Sequence, residues 1–129
     1  MPDRTEQLAS VAAKLGIGGY TRHVFLCTGP NCCTSEDGLA AWEALKRELK
    51  EKNLLAGEHA CYRTKVGCLR ICVHGPTVVV YPEGTWYHGM TAERIPQFVR
   101  QHLIEGKPVE EWIFARNPLG DLRETPPPS

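Results

Sequence analysis

Residues 77–87, TVVVYPEGTWY, carry the clearest structural signal in this chain. Two runs of β-branched and aromatic residues flank Pro82-Glu83-Gly84, a three-residue turn that ends in glycine. This pattern predicts a β-hairpin, because such runs form strands and short glycine-containing loops reverse the chain. The three consecutive valines predict a strand that is covered on both faces. The hairpin is therefore expected to form one half of a sheet.

A strand, a helix and a second strand are predicted upstream of the hairpin. The run His23–Cys27 is β-prone and stops at a Gly-Pro-Asn loop, and Ala60–Val66 is a second strand candidate. Between them, Thr34 has the pattern of a helix N-cap, with acidic residues in the turn that follows. Apolar residues then recur at three- and four-residue intervals, which predicts an amphipathic helix. They are Leu39, Trp42, Leu45 and Leu49.

A last helix is predicted over Ala92–Ile104, with Thr91 as its N-cap and Pro96 in its first turn. Downstream, Trp112-Ile113-Phe114 is an apolar patch that must pack against the rest of the domain. The predicted element order is β-α-β-β-β-α. A β-α-β unit implies a parallel strand pair with a right-handed crossover. With the added hairpin, the order predicts an α/β, thioredoxin-like fold with a four-stranded mixed sheet and helices packed on it.

The chain divides into three predicted parts. Residues 1–19 form an N-terminal extension with a short amphipathic stretch that ends at Gly16-Ile17-Gly18-Gly19. Residues 20–116 form the thioredoxin-like domain. Residues 117–129 are polar and proline-rich, and we expect them to be a flexible tail.

Composition excludes several function classes. The formal net charge is zero and 42% of the 129 residues are hydrophobic, which indicates neither nucleic-acid nor membrane binding. No apolar run approaches the roughly 20 residues of a transmembrane helix, and residues 1–15 do not resemble a secretory signal. The cytoplasm is therefore the expected location. In that compartment thiols stay reduced, so the six cysteines are expected to bind metal or carry out redox chemistry.

Five of the six cysteines fall into two groups that lie in predicted loops at strand ends. Cys27 and the Cys32-Cys33 pair lie between the first strand and the first helix, and Cys68 and Cys72 lie before the hairpin. Both groups can meet at one end of the sheet. Iron–sulfur clusters require soft thiolate ligands, and two separated pairs of cysteines meet the requirement of a two-iron cluster. A zinc site with four cysteines accepts the same ligands and is the main alternative.

The second cysteine group lies in a basic neighbourhood. No acidic residue occurs between Glu58 and Glu83, whereas Arg63, Lys65 and Arg70 fall in that interval. A cluster held by four thiolates is anionic, so nearby positive charge would stabilise its reduced form. The same charge would attract a partner protein with an acidic face.

Three motifs together resemble the thioredoxin-like [2Fe–2S] ferredoxins, which are related to the small cluster-bearing subunit of respiratory NADH dehydrogenase. They are Cys27 followed by Cys32-Cys33, GCLRIC at residues 67–72, and GPTVVVYPEGTWY at residues 75–87. The resemblance extends from about His23 to Phe114. It implies a [2Fe–2S] ferredoxin that carries one electron between a reductase and an acceptor enzyme, with no catalysis of its own. It also implies ligands from both cysteine groups and, often, a homodimer.

The resemblance assigns Cys27, Cys68 and Cys72 as ligands and leaves the fourth open. The family has one cysteine just before the first helix, and this chain has two. The C-x4-C spacing from Cys27 favours Cys32. The helical register counted back from Trp42 favours Cys33, which we take as the fourth ligand with Cys32 as the alternate.

Three alternative functions follow from the same residues. The first is a zinc-bound or metal-free thioredoxin-fold module that binds other proteins. The second is a thiol oxidoreductase that uses Cys32-Cys33 as a vicinal pair, although no Cys-x-x-Cys motif supports it. A Rieske-type site using His74 would need a second Cys/His pair, which the sequence lacks. Cys61 lies inside a predicted strand and is expected to be a small core residue.

Overall fold

The computed structural model describes residues 3–71 and 73–119. Its helices and strands follow the predicted order, with one additional helix at the start and one additional strand at the end. The strands are β1 (Arg22–Cys27), β2 (Cys61–Val66), β3 (Val78–Tyr81), β4 (Thr85–Tyr87) and β5 (Ile113–Arg116). The helices are α1 (Arg4–Leu15), α2 (Ser35–Glu51) and α3 (Ile95–Phe98), the last of which continues as a π-helix over Val99–Ile104, and a single 3₁₀ turn precedes β5 at Glu110–Trp112.

The five strands form one mixed sheet in the order β2-β1-β3-β4-β5. β1 and β2 are parallel, and the other neighbouring pairs are antiparallel. The predicted hairpin is present as β3 and β4, in the register Val78 to Tyr87. The sequence predicted four strands, and β5 is the fifth. It is a short edge strand that pairs with β4. Its own sequence does not alternate between apolar and polar residues, so only the pairing with β4 identifies it as a strand.

Helix α2 packs on one face of the sheet through a stripe of small and large residues. The Thr34 hydroxyl accepts a hydrogen bond from the Asp37 N–H at 3.0 Å, as the capping pattern predicted. Leu39 was predicted on the buried face but is exposed, because the stripe passes through Gly38 and Ala41 instead. The other buried residues of this helix are Trp42, Ala44, Leu45, Glu48 and Leu49.

The last helix starts three residues later than predicted. Thr91 does not cap it through its side chain; its carbonyl accepts the N–H groups of Arg94 and Ile95 in the preceding turn. α3 begins at Ile95, so Pro96 occupies the first turn, where its missing N–H has no helical partner to lose. Phe98 is fully buried against the same core as α2.

A chain of buried polar groups links the strands to the π-helix. The Arg22 Nε donates to the Glu83 carboxylate at 2.7 Å, and the His102 Nε2 lies 3.1 Å from the same oxygen. The His102 Nδ1 lies 2.6 Å from the Tyr87 hydroxyl, which accepts the Val109 N–H. Since that hydroxyl is an acceptor for Val109, its own proton is free for His102, whose other nitrogen then donates to Glu83. The Glu83 Oε2, both His102 nitrogens and the Tyr87 hydroxyl are thereby paired, whereas the buried Glu83 Oε1 has no partner among the described residues.

This chain predicts a stability loss at low pH. Burial acts to raise the pKa of Glu83, but hydrogen bonds from His102 and Arg22 outweigh it and lower that pKa to about 2. The stabilisation is therefore complete above the ordinary value of 4.5 and is lost as the pH falls from there toward 2. We expect a loss on the order of 1–2 kcal/mol between pH 5 and pH 2.5, because solvent screens the partly exposed Glu83 carboxylate. Urea unfolding of wild type and Glu83→Gln at both pH values checks this, and an equal pH dependence in the two proteins would contradict it.

The two ends of the chain lie outside this core. Asp3 caps α1 by accepting the Glu6 N–H, and no residue of α1 is buried. Asn117 and Leu119 hydrogen bond through their N–H groups to Gly84 and Pro82 in the β3–β4 turn. The remainder of the predicted tail, residues 120–129, lies outside the described residues. Among the helices of the described ranges, none combines the length and apolarity that crossing a membrane requires.

Candidate metal centre

The parallel pairing of β1 and β2 brings the two cysteine groups to one edge of the sheet. Cys27, the last residue of β1, is in register with Val66, the last residue of β2. The Thr28 N–H donates to the Val66 carbonyl at 3.0 Å, which extends this pairing by one residue. Cys68 follows two residues after Val66. The loop that carries the second cysteine group therefore starts beside Cys27.

Three thiols of the first group lie together at this edge. The Cys27 Sγ is 2.7 Å from the Cys32 Sγ, and the Cys32 Sγ is 3.6 Å from the Cys33 Sγ. None of these cysteines forms a disulfide, whose S–S bond would measure about 2.05 Å. Cys27 and Cys32 are buried, and Cys33 is half-buried. The three sulfurs thus lie close together, and two of them are shielded from water.

The loop before β3 holds Cys32 in place. The Gly75 N–H donates to the Cys32 carbonyl at 2.8 Å. A Cβ at position 75 would lie 2.9 Å from the Cys32 Sγ and 2.7 Å from its carbonyl oxygen. A glycine is required here because no side chain fits between the two segments. The Gly75–Pro76 peptide bond is cis.

Replacing Gly75 by alanine is expected to displace Cys32 and to reduce metal loading severalfold, since the new Cβ meets the ligand-bearing segment on three atoms. Gly67→Ala is the matched control in the same loop: nothing lies within 4 Å of its added Cβ. Bound iron per chain and the visible absorption of both purified variants would be compared with wild type. Equal loading of the two variants would contradict the proposed packing of Gly75 on Cys32.

The second cysteine group is more exposed. The Arg70 N–H donates to the Cys68 Sγ at 3.2 Å, and Arg70 has a positive φ of 71° that turns the N–H toward the sulfur. Among the described residues, no three metal-ligating side chains enclose a metal site, so Cys68 does not complete a site with the first group. Cys72 lies outside the described residues. The structure therefore brings together Cys27, Cys32 and Cys33 and places the Cys68 loop beside them.

Burial keeps the Cys32 and Cys33 thiols protonated in the absence of metal. Desolvation, together with hydrogen bonds and charge from Cys27 and Cys33, raises the pKa of Cys32 to about 12. Desolvation also raises the pKa of Cys33, partly offset by its hydrogen bond with Cys32. Metal ligands must be thiolates, so metal binding here would displace protons.

These residues fit a soft metal group. Three thiols lie together, two of them buried, and the backbone at Gly75 approaches Cys32 more closely than a side chain would allow. The Thr77 hydroxyl, fully buried in the segment that follows, has no hydrogen-bond partner among the described residues. Thiolate donors select zinc, copper(I) or iron–sulfur clusters over hard cations. Sequence reasoning identified the cysteines and a need for close backbone approach at Gly75, but it missed the contact of Gly75 with Cys32 and the hydrogen bond from the Arg70 N–H to Cys68.

Comparison with known proteins distinguishes among these metals. No family model matches the chain. A 2Fe-2S ferredoxin of Clostridium pasteurianum is 35% identical over 95 residues, which cover 68% of this chain and 90% of the relative. A thioredoxin-like [2Fe-2S] ferredoxin from Aquifex aeolicus superposes with a TM-score of 0.67 and 29% identity, over 78% of this chain and 97% of the other. The chain belongs to the thioredoxin-like [2Fe–2S] ferredoxin family.

The chain is also similar to a putative 2Fe-2S ferredoxin of Priestia megaterium. The two are 30% identical over 98 residues, which make up 76% of this chain and 73% of the relative. The family and the thioredoxin-like α/β fold that the sequence predicted are both confirmed. The four predicted ligands are not tested by these likenesses and stay a prediction.

Proposed function

We propose that this ferredoxin binds one [2Fe–2S] cluster and carries one electron at a time between redox proteins. The buried convergence of the Cys27, Cys32 and Cys33 thiols beside the Cys68 loop, in a chain of this family, carries the proposal. When bound, such a cluster supplies a site that gains and loses a single electron. The protein's part is to provide thiolates, exclude water and set the charge around them.

Four thiolates are needed, and we propose Cys27, Cys68 and Cys72 for three of them. The fourth comes from the vicinal pair. Helical register favours Cys33, whereas burial favours Cys32. Two thiolates on one tetrahedral metal lie roughly 3.8 Å apart, given metal–sulfur bonds of about 2.3 Å, so the 2.7 Å between the Cys27 and Cys32 sulfurs does not select Cys32. We therefore keep Cys33 as the proposed ligand and Cys32 as the alternate.

Alanine substitutions separate the two members of the pair. Cys32→Ala is expected to leave cluster content and visible spectrum unchanged. Cys33→Ala is expected to lower cluster content severalfold or, if Cys32 replaces it, to change the spectrum, because a substituted ligand alters the charge-transfer bands. Parallel purification under anaerobic conditions provides the comparison. The reverse pattern would assign Cys32 instead.

Charge around the second cysteine group suits an anionic cluster. The Arg70 N–H donates to the Cys68 sulfur, and Lys65 and Arg70 are exposed nearby in sequence. Such donors and charges favour the reduced, more negative state. We propose that the same exposed cations attract reductases and acceptor enzymes with acidic faces. Arg63 differs, since its guanidinium stacks on Trp42 and contributes to packing.

Several finer features of this function are also proposals. We propose that the protein transfers electrons without catalysing a reaction of its own, that it works in the cytoplasm, and that it forms a homodimer. We also retain the division into an extension over 1–19, a domain over 20–116 and a tail over 117–129. The near-neutral composition supports protein partners rather than nucleic acid or membrane.

A potentiometric titration of the purified protein tests the electron-carrier role. The visible absorption should bleach in a single reversible step with the slope of a one-electron couple, about 59 mV per tenfold change in the oxidised-to-reduced ratio. A two-electron slope that persists in Cys68→Ala would instead support a dithiol oxidoreductase. A colourless protein with one zinc per chain would support the zinc-bound interaction module.

A further inference from the structure

An open groove of about 660 Å³ lies between helix α2 and the edge strand β2. It is on the helix-covered side of the sheet, because the β2 residue that lines it stacks on a side chain of α2. Positively charged side chains line most of it, and we call it the basic groove. The cations that define it are Lys46, Arg47, Lys50 and Arg63.

Trp42 holds two of these cations in place. Its ring centroid lies 5.6 Å from the Arg63 guanidinium carbon and 5.9 Å from the Lys46 Nζ. Trp42 is packed in the hydrophobic core, so the fold fixes the position of its ring. Such cation–π contacts restrict both charged side chains before any partner binds. Two charges of the basic groove are therefore preorganised, which lowers the entropy that binding would cost.

Most of the positive charge in the basic groove lacks a counter-charge. Lys46 pairs with Glu43 at 3.0 Å. Within the described ranges, Arg47, Lys50 and Arg63 form no ion pair. The Arg63 Nε is buried and also has no hydrogen-bond acceptor among these residues. A carboxylate from another molecule would supply the counter-charge, and charge-assisted hydrogen bonds of this kind are the stronger ones.

The rest of the lining favours protein carboxylates over a nucleic-acid backbone. Glu43 and Glu51 also line the basic groove and would repel a continuous row of phosphates, whereas separate carboxylates can avoid them. Leu55 is 47% exposed and adds an apolar contact. Lys46 and Lys50 lie one helical turn apart, about 6 Å along the axis. Acidic residues at the same spacing on a partner helix would face both.

The basic groove leads to the sheet edge where the cysteines lie. Side chains alternate along a strand, so Lys65 lies on the same face of β2 as Arg63. The next residue, Val66, is in register with Cys27. Arg63 is three residues before Val66, which is about 10 Å along the strand. A protein bound in the basic groove would therefore lie beside the proposed cluster.

We propose that the basic groove is the docking site for an acidic helix on the surface of a redox partner. Carboxylates of that helix would lie opposite Arg47, Lys50 and Arg63, and an apolar residue would cover Leu55. The proposal rests on the proposed electron-carrier role and names the surface through which the partner is recognised. Recognition then takes place on the helix-covered side of the sheet, next to the edge that carries the cysteines.

Binding of a synthetic acidic helix to the cluster-loaded full chain tests the basic groove. The probe is a fluorescein-labelled helical peptide with glutamates at four-residue spacing and leucines beside them, and its control has glutamine for glutamate. Arg47→Glu/Lys50→Glu is expected to weaken binding of the probe about tenfold or more, because repulsion replaces attraction at two contacts. Arg4→Glu/Lys14→Glu makes the same change of net charge on α1 and should bind the probe as wild type does.

Equal affinities of the two variants for the probe would overturn the proposal. Tighter binding of a single-stranded oligonucleotide than of the probe would also overturn it. Should Arg47→Glu/Lys50→Glu fail to fold, Arg47→Gln/Lys50→Gln and Arg4→Gln/Lys14→Gln repeat the comparison with half the charge change. The first of these is then expected to bind the probe severalfold more weakly than the second.

Electron transfer to two forms of one acceptor separates failure of the basic groove from failure of the carrier role. Native cytochrome c is basic, and succinylated cytochrome c has carboxylates in place of lysine amines. The reduced wild-type protein should reduce the succinylated form at a rate that falls as ionic strength rises. Arg47→Glu/Lys50→Glu should react with it about tenfold more slowly than Arg4→Glu/Lys14→Glu. Equal rates in the two variants would overturn the basic groove alone, whereas a wild type that reduces neither acceptor would overturn the carrier role.

Discussion

Cys27→Ala is expected to lower bound iron by about tenfold or more and to abolish the visible absorption of the purified ferredoxin. Cys27 is the last residue of β1, where strand pairing fixes its backbone, and it is a proposed ligand for which the sequence offers no alternate. Alanine gives the clearer test, because a serine at this site would still offer an oxygen ligand to the metal.

Cys61→Ala is the matched control for this prediction. Cys61 is also buried, but it starts β2 and pairs in register with Arg22, at the other end of β1 from Cys27. Its side chain has no part in the proposed ligand set, so the variant should keep its iron and lose only a little stability from the small cavity. Iron analysis and absorption spectra of both variants provide the measurement. Loss of iron from Cys61→Ala, or full loading of Cys27→Ala, would contradict the ligand assignment.

Gly38→Ala is expected to destabilise the fold by about 2–4 kcal/mol, which is opposite in sign to the usual effect of alanine in a helix. A Cβ at position 38 would lie 2.3 Å from the Thr28 carbonyl oxygen and 2.6 Å from the Thr28 Cα. Both are backbone atoms of the segment that leaves β1 directly after Cys27. Relief of the clash would move α2 away from the sheet and loosen the first cysteine group.

Ala40→Gly gives the comparison within the same helix. Ala40 is exposed, so this change should cost only the difference in helix propensity, about 1 kcal/mol. Equilibrium unfolding in urea, with loading measured on the same samples, tests both variants. A Gly38→Ala protein as stable as wild type would show that α2 does not pack on Thr28 as closely as described.

Local sequence patterns predicted the elements whose cause is local. The β3–β4 hairpin follows from its β-branched runs and its glycine turn, and α2 follows from its cap and its apolar spacing. Two features depend on partners distant in sequence and were missed. β5 is defined by pairing with β4, and the late start of α3 results from a turn held by the Thr91 carbonyl. Helical spacing alone also misplaced Leu39, because the buried stripe is set by the close approach of Gly38 to Thr28.

The candidate site, like the fold, could be predicted only in part from the sequence. Cysteine spacing and strand ends indicated that two groups meet at one sheet edge, and the register of Cys27 with Val66 agrees with this. Spacing could not choose between Cys32 and Cys33, because the two residues are adjacent and the path of the loop decides which sulfur faces inward. That path depends on Gly75, whose backbone contacts Cys32 from a segment more than forty residues away.

Electron paramagnetic resonance of the anaerobically purified, dithionite-reduced protein, with iron and sulfide determined on the same sample, tests whether the chain holds a [2Fe–2S] cluster. We expect about two irons and two sulfides per chain and, on reduction, about one unpaired spin per chain. A chain that binds one zinc ion, contains no sulfide and gives no signal on reduction would contradict it.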